Sequence, residues 1–449
     1  MGKSRNTIDM LNGPLAGKIV AFAIPIAIAS ILQQLFNSAD AAVAGHFVSP
    51  QALAAIGGTT PVVMLLISLF TGLSVGTNVL VALRIGQGKP EKISDAVHTS
   101  IAVALASGVL LLVLGIAFVE PILAAIEMPA DAFEPAVLYL DIFFVGMPFG
   151  MLYNFGSAIL RSRGDTRRPL YALIVAVLLN LGLNVLFVTV VPWGVAGVAV
   201  ATDIANAASA GIVVWFLMHE EAPYKLEWRR LHFAKAELLI ILKIGIPAGL
   251  QGVVFSLSNV VIQAGINSFG SASTAGVAAA VNYEFYSFFV VNGFVQAAVT
   301  FIGQNYAARQ LDRCDAVLRW CLLFGFASMG ALCVLWQVLG TNALAVFTTD
   351  PEAIEYGLQR LLYVQAFQWL VVSYEVPAGA MRGMGWSMTP TLITIVGSCL
   401  LRIVWVFTVF AASPDFFTLM VVYPVTWVVT GIAMGITFFF VRRRAYAKE

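Results

Sequence analysis

The chain has 449 residues, of which 60% are apolar and only 11% charged, and its formal net charge is +1. With a mean hydropathy of +0.89, this composition excludes a soluble globular protein. The near-zero charge gives no signal for nucleic acid, and it hides a strong sidedness that the loops reveal.

A membrane-spanning helix needs about 20 predominantly apolar residues. Twelve such stretches follow one another, at 19–44, 52–80, 95–118, 135–159, 169–191, 194–218, 238–265, 274–303, 316–340, 356–380, 390–412 and 416–441. Runs of this length exclude a transmembrane β-barrel, whose strands alternate over about ten residues. The polar start, Met1–Lys18, leads into a full-length span without a small-residue cleavage site, so no removable signal peptide is expected. Lys3, Arg5 and Lys18 precede the first span. Arg84, Lys89, Lys92, Arg161, Arg163, Arg167, Arg168, Lys225, Arg229, Arg230, Lys235, Arg309, Arg313, Arg319, Arg382 and Arg442–Arg444 follow the even-numbered spans. The opposite loops carry Glu120, Glu127, Asp131, Glu134, Asp350, Glu352, Glu355 and Asp415 instead. Lys and Arg stay cytoplasmic, so both termini are predicted inside.

In the first span, Gln33, Asn37 and Asp40 are spaced by four and three, on one helical stripe that starts two turns after Pro25. Gln34 sits beside that stripe. Further prolines fall inside spans at Pro61, Pro148, Pro247, Pro377 and Pro424, where each removes a backbone donor and permits a kink. Five acids lie within apolar runs: Asp40, Asp141, Asp203, Glu284 and Glu375. An ionised carboxylate at the bilayer centre costs about 2.5–3.5 kcal/mol on insertion scales, so such residues mark function. Asp40 is the leading candidate, because burial favours the neutral form of a carboxyl and lets it exchange protons near neutral pH.

The fourth span contributes Tyr139, Met151, Tyr153 and Phe155, candidates for an aromatic and apolar surface that binds amphipathic cations. Asn180 and Asn184 lie four apart in the fifth span, and Thr202, Asp203 and Asn206 follow in the sixth. The longest polar segment, His219–Glu237, reads as a cytoplasmic connector between residues 1–218 and 238–449. Beyond it come Tyr283, Glu284 and Phe288 in the eighth span, Gln365, Gln368, Tyr374 and Glu375 in the tenth, and Arg402 in the eleventh. Gln365, Gln368 and Glu375 are expected to share one stripe. A buried arginine needs a partner, and Glu284 or Glu375 is expected to supply it.

Sliding the chain 221 residues along itself places Gly72 on Gly293, Tyr153 on Tyr374, Arg161 on Arg382, Gly164 on Gly385 and Pro169 on Pro390. One further residue places Pro25 on Pro247. A six-span bundle is therefore duplicated. Six is even, so both halves enter from the same side, as two parallel six-helix lobes related by a pseudo-two-fold axis along the membrane normal. In secondary transporters the interface between such repeats holds the cargo.

The run YLDIFFVGMPFGMLYNFGSAILRSRGDTRRPL at 139–170 resembles the fourth span and following loop of the multidrug and toxic compound extrusion (MATE) family. AMRGMGWSMTP in the second half, the turns ALRIGQGKPEK and IGQNYAARQLDR, and SADAAVAGHF in the first span are similar to that family too, across nearly the whole chain. The resemblance implies a twelve-span antiporter that expels amphipathic, mostly cationic compounds against a proton or sodium gradient. It is closer to the proton-coupled bacterial branches than to the NorM-like sodium-coupled branch, whose acids in spans seven and ten meet Phe255 and Val371 near those positions here. Asp40 matches the first-span coupling aspartate of the proton-coupled members. Asn184 departs from an aspartate often found there, and Asp203 is expected to supply the charge that Asn184 lacks.

The expected ion-coupling set is Asp40, Asn180, Asn184, Thr202 and Asp203. The expected cargo-binding set is Gln33, Gln34, Asn37, Met151, Tyr153, Phe155, Glu284, Tyr374 and Glu375. His46, His98, His219 and His232 form no paired ligand spacing, and Cys314, Cys321, Cys333 and Cys399 show no CxxC. No metal, cofactor or enzymatic activity is expected, and there is no Walker-type glycine loop for ATP. The expected partners are H+ or Na+, small cationic or amphipathic molecules and membrane lipids, with the chain a monomer in a prokaryotic plasma (inner) membrane. A flippase for lipids or lipid-linked precursors is the alternative. A polyanionic headgroup would want a cationic cavity, whereas the deep residues are mostly acids.

Overall fold

In a computed structural model, residues 7–126, 128–191 and 193–447 are described. Lys3, Arg5 and Glu127 lie outside them, as do the side chains of Asn37, His46 and Pro61. Fifteen α-helices follow in order: α1 (Ala16–Val43), α2 (Pro50–Gln87), α3 (Pro90–Ala125), α4 (Ala130–Val145), α5 (Met147–Ser162), α6 (Arg167–Val185), α7 (Val195–Met218), α8 (Lys235–Asn267), α9 (Ser271–Ala307), α10 (Leu311–Leu344), α11 (Pro351–Tyr363), α12 (Val372–Gly383), α13 (Met388–Thr394), α14 (Leu401–Trp405) and α15 (Phe416–Ala447). No strand occurs among the described residues.

Each of the twelve expected spans is one helix or a run of helices with a break. Ten spans are long and apolar enough to cross a membrane on their own, and α4 with α5, bent by 46°, makes an eleventh. The twelfth, α11 to α12, carries Glu352, Glu355, Arg360, Glu375 and Arg382 and is interrupted by a 3-10 segment, Gln365–Val371. The protein is an all-α polytopic membrane protein of twelve transmembrane helices in two lobes.

By contact the chain divides into two compact units. Unit one contains residues 7–9 and Ile28–Gly249, and unit two contains Met10–Ala27 and Leu250–Ala447, within the described residues. The sequence suggested a cut within 219–237, but the first half of α1 packs in unit two and the first half of α8 in unit one. Pro25 and Pro247 each lie just before the point where their helix passes from one unit to the other. A helix-interior proline removes one backbone hydrogen bond, so the chain is locally weakened at both crossings.

Within unit one, α2 presses so closely on α8 that a Cβ at Gly72 would lie 2.3 Å from the backbone nitrogen of Gly249. Within unit two, a Cβ at Gly293 of α9 would lie 2.5 Å from the Ala23 carbonyl of α1. The glycines that superimpose in sequence therefore do the same work: without side chains, two helix backbones can touch, as membrane helix packing favours. The helix ends repeat as well. Gly164 and Gly385 have φ of 95° and 86° and donate to Arg161 and Arg382 carbonyls at 2.8 and 2.9 Å. Gly88 (φ 65°) and Arg309 (φ 60°) close α2 and α9 through equivalent bonds of 3.0 Å, although only one of them is glycine.

The connector is fastened onto unit one. Glu220 pairs with Arg163 and Arg168. The Glu227 amide donates to His98 Nε2 at 3.1 Å, and Glu237 accepts two 2.8 Å bonds from Arg84.

Candidate functional site

Asp40 lies in the last turn of α1 and is 4% exposed. Asn184 Nδ2 donates to its Oδ1 at 2.7 Å, and the Thr202 hydroxyl donates to its Oδ2 at 2.7 Å. Asn184 Nδ2 also reaches Asn180 Oδ1 at 3.1 Å, and Asn180 Nδ2 donates to Thr202 Oγ1 at 3.3 Å. Helices α6 and α7 pack side by side, and the four-residue spacing of the two asparagines points both at the same neighbour. All four side chains are buried. Four of the five residues expected for ion coupling thus form one closed hydrogen-bonded cluster in unit one.

The fifth, Asp203, has a different setting. Its carboxyl packs into the break between α4 and α5, where a Cβ on Gly146 would lie 1.9 Å from Oδ1. That oxygen has no hydrogen-bond partner among the described residues. Adjacent positions on a helix point about 100° apart, so Thr202 faces α6 while Asp203 faces the break. Tyr139 of α4 lies within electrostatic range of both Asp40 and Asp203.

Of the residues expected to bind cargo in the first half, Met151 and Phe155 are buried at 1% and 0% within the core of unit one. Tyr153 is half-buried and donates to the Pro169 carbonyl at 3.3 Å. Gln33 is exposed and Gln34 half-buried.

In unit two the expected partner of Arg402 is taken. Glu284 is gripped by Arg360, Nε to Oε1 at 2.6 Å and Nη2 to Oε2 at 2.9 Å. The reason is packing: α11 lies directly against α9, which carries Glu284, whereas α14, which carries Arg402, lies against α15. Arg402 makes no ion pair among the described residues. Glu375 instead has Arg382 as its charged neighbour. The expected common stripe of Gln365, Gln368 and Glu375 is also broken by the 3-10 segment, where residues three apart eclipse. Gln365 and Gln368 both turn to α9, donating to Ser287 Oγ at 3.0 Å and to the Glu284 carbonyl at 2.9 Å. Tyr283 donates to the Ala343 carbonyl at 2.7 Å, and Tyr374 is buried. Phe288 is half-buried.

Two residues escaped the sequence reading. Arg360 was legible as a cation inside an apolar run, and Gly146 as a glycine directly before Met-Pro in the middle of a span.

The MatE family profile matches residues 25–186 and 247–408, one copy on each half. The chain belongs to the MatE family. A protein named probable multidrug resistance protein YoeA, from Bacillus subtilis, is 27% identical over 382 residues, 83% of this chain and 82% of its own length. Probable multidrug resistance protein NorM from Thermotoga maritima is 26% identical over 394 residues, covering 84% and 82%. A solved MOP superfamily transporter from Pyrococcus furiosus shares the fold with a TM-score of 0.90 over 99% of both chains, at 22% identity.

Proposed function

We propose that this secondary multidrug efflux antiporter exchanges amphipathic, mostly cationic molecules for protons, and that Asp40 is the proton-coupling group. The observation that carries the proton reading is the chemistry around Asp40. Both of its oxygens face hydrogen donors, the Asn184 amide and the Thr202 hydroxyl. These partners are neutral, so the carboxyl can gain or lose a proton without breaking an ion pair.

The departure at Asn184 fits this reading. An amide end carries two donors on nitrogen and an acceptor on oxygen. With Asp40 ionised, Nδ2 faces it. With Asp40 protonated, a turn about the last torsion presents Oδ1, which has no partner in the ionised arrangement. Asn184 thus accommodates both charge states without moving a helix, and Asn180 and Thr202 follow the exchange. Asp203 adds a second carboxyl on which a cationic cargo competes with the proton, with the neutral Tyr139 in electrostatic range of both acids. Competition for one carboxyl is sufficient to couple the two fluxes.

Family membership supports small-molecule transport with ion coupling in a multi-pass membrane protein. We place it in a bacterial plasma membrane as a monomer surrounded by lipid, with both termini and the 219–237 connector cytoplasmic. Each six-helix half enters from the same side. In unit one Gln33, Gln34, Asn37 and Tyr153, and in unit two Tyr374 and Glu375, remain the proposed cargo contacts, while Glu284 is held by Arg360. Met151 and Phe155 are core residues of unit one.

The test is uptake of a fluorescent cation into proteoliposomes, driven separately by a pH gradient and a sodium gradient. Wild-type protein responds to the pH gradient, and Asp40→Asn does not. Transport driven only by sodium, or indifferent to Asp40, overturns the proposal.

A further inference from the structure

Arg402 is 1% exposed, in the middle of a membrane span, and its Nη1 has no hydrogen-bond partner among the described residues. Its Nε makes one bond, to Thr426 Oγ1, at 3.3 Å. Two rings lie against the guanidinium: Tyr423 at 4.5 Å and Phe255 at 5.5 Å, measured to ring centroids. Ring contacts of this kind leave the in-plane N–H donors, Nη1 among them, available to bind an anion. Those donors form the flat fork that matches a carboxylate or phosphate edge.

The same unit contains the control. Arg360 stacks on Tyr423 at 4.9 Å and uses its fork on Glu284. Two guanidiniums share one tyrosine; one grips a carboxylate of the chain and the other does not. Glu375, an acid that Tyr374 senses together with Arg402, has its own cation in Arg382.

The backbone around Arg402 is also unusual. The five-residue helix α14 is flanked by π-helical turns, Ile395–Leu400 and Val406–Phe410. Such turns are rare and gather at functional sites. Of the two rings, Phe255 is 38% exposed and Tyr423 8% exposed.

We propose that Arg402 is an oxyanion-binding residue of unit two, taking the carboxylate or phosphate group of an amphipathic ligand on its in-plane N–H donors beside Phe255 and Tyr423. The ligand range then extends beyond plain cations to molecules that carry an anionic end. A guanidinium at this depth is expensive without an anion, and a bound oxyanion satisfies it.

The test is equilibrium binding to the purified full-length chain, so it is independent of proton coupling. Dansyl-phenylalanine and its methyl ester differ by one negative charge. The acid is expected to bind at least about tenfold more tightly, a preference that Arg402→Gln removes. Arg402→Lys keeps charge without the fork, and should reduce the preference at least about threefold. It serves if the neutral variant fails to fold. A wild-type protein that binds acid and ester equally, or a preference that survives in a folded Arg402→Gln or Arg402→Lys variant, overturns the proposal. Displacement of the acid by dihexanoyl phosphatidylglycerol assigns the oxyanion to a lipid headgroup; no displacement, with the preference intact, assigns it to cargo. Failure of proton-driven uptake with the acid preference intact would sink the coupling reading and leave this one standing.

Discussion

Asp40 in unit one is buried and Glu284 in unit two is half-buried, both carboxyls inside apolar spans, yet they are held in opposite ways. Asp40 is met by neutral donors, an amide and a hydroxyl, while Glu284 is met by a bidentate guanidinium. Neutral donors leave the charge of a carboxyl free to change, and a buried arginine fork fixes it. The difference teaches that an acid inside a span keeps a changeable charge only when its partners are uncharged, which is what the proposed coupling role of Asp40 needs. The same criterion makes Glu284 an anchor that orders α9, α11 and the 3-10 segment.

The contrast can be broken at several points. Glu284→Gln leaves Arg360 buried without its anion, and the expected loss is about 3–5 kcal/mol of stability. Thermal denaturation in detergent reads it, and Glu284→Gln with Arg360→Met should recover most of the loss. If the single variant melts like wild type, the pair is no anchor. At the α4–α5 break, Gly146→Ala drives a methyl into the Asp203 carboxyl and should cost about 1–3 kcal/mol. Combining it with Asp203→Ala is expected to be clearly less than additive, and additive melting shifts would separate Asp203 from the bend. Asp40→Asn should lower pH-driven uptake at least about tenfold, or about 1.4 kcal/mol in rate terms, with melting near that of wild type. A large fall in melting temperature would instead make Asp40 structural. Smallest is Arg309→Gly. A non-glycine residue in the left-handed region costs about 1 kcal/mol, so the variant should be slightly more stable than wild type and equally active.

Much of the site could be read from spacing. Asn180 and Asn184 fall on one face because they are four apart, and Asp40 was marked by being an acid inside an apolar run. Thr202 and Asp203 could not be told apart in this way. They are neighbours, and only the packing of α7 between α6 and the α4–α5 break sends one to Asp40 and the other to Gly146. Arg402 failed for a related reason. Its expected partners were right in charge, but which acid lies opposite which base depends on helix neighbours tens of residues apart in sequence.

The sequence by itself determined that this is a twelve-span membrane protein with a duplicated half, because the need to hide backbone polar groups from lipid leaves helices of fixed length as the solution. It also determined the glycines and prolines on which both halves turn, since close helix contact and broken helical hydrogen bonding depend on residue type alone. Only the tertiary structure decided that α1 and α8 each give their first half to the other unit, that Arg360 rather than Arg402 closes on Glu284, and that Asp203 stands apart from the Asp40 cluster. These are matters of which helix lies against which, and an apolar helix surface in lipid has many acceptable neighbours. The choice among them is made by the packing of whole bundles, which no local pattern of residues encodes.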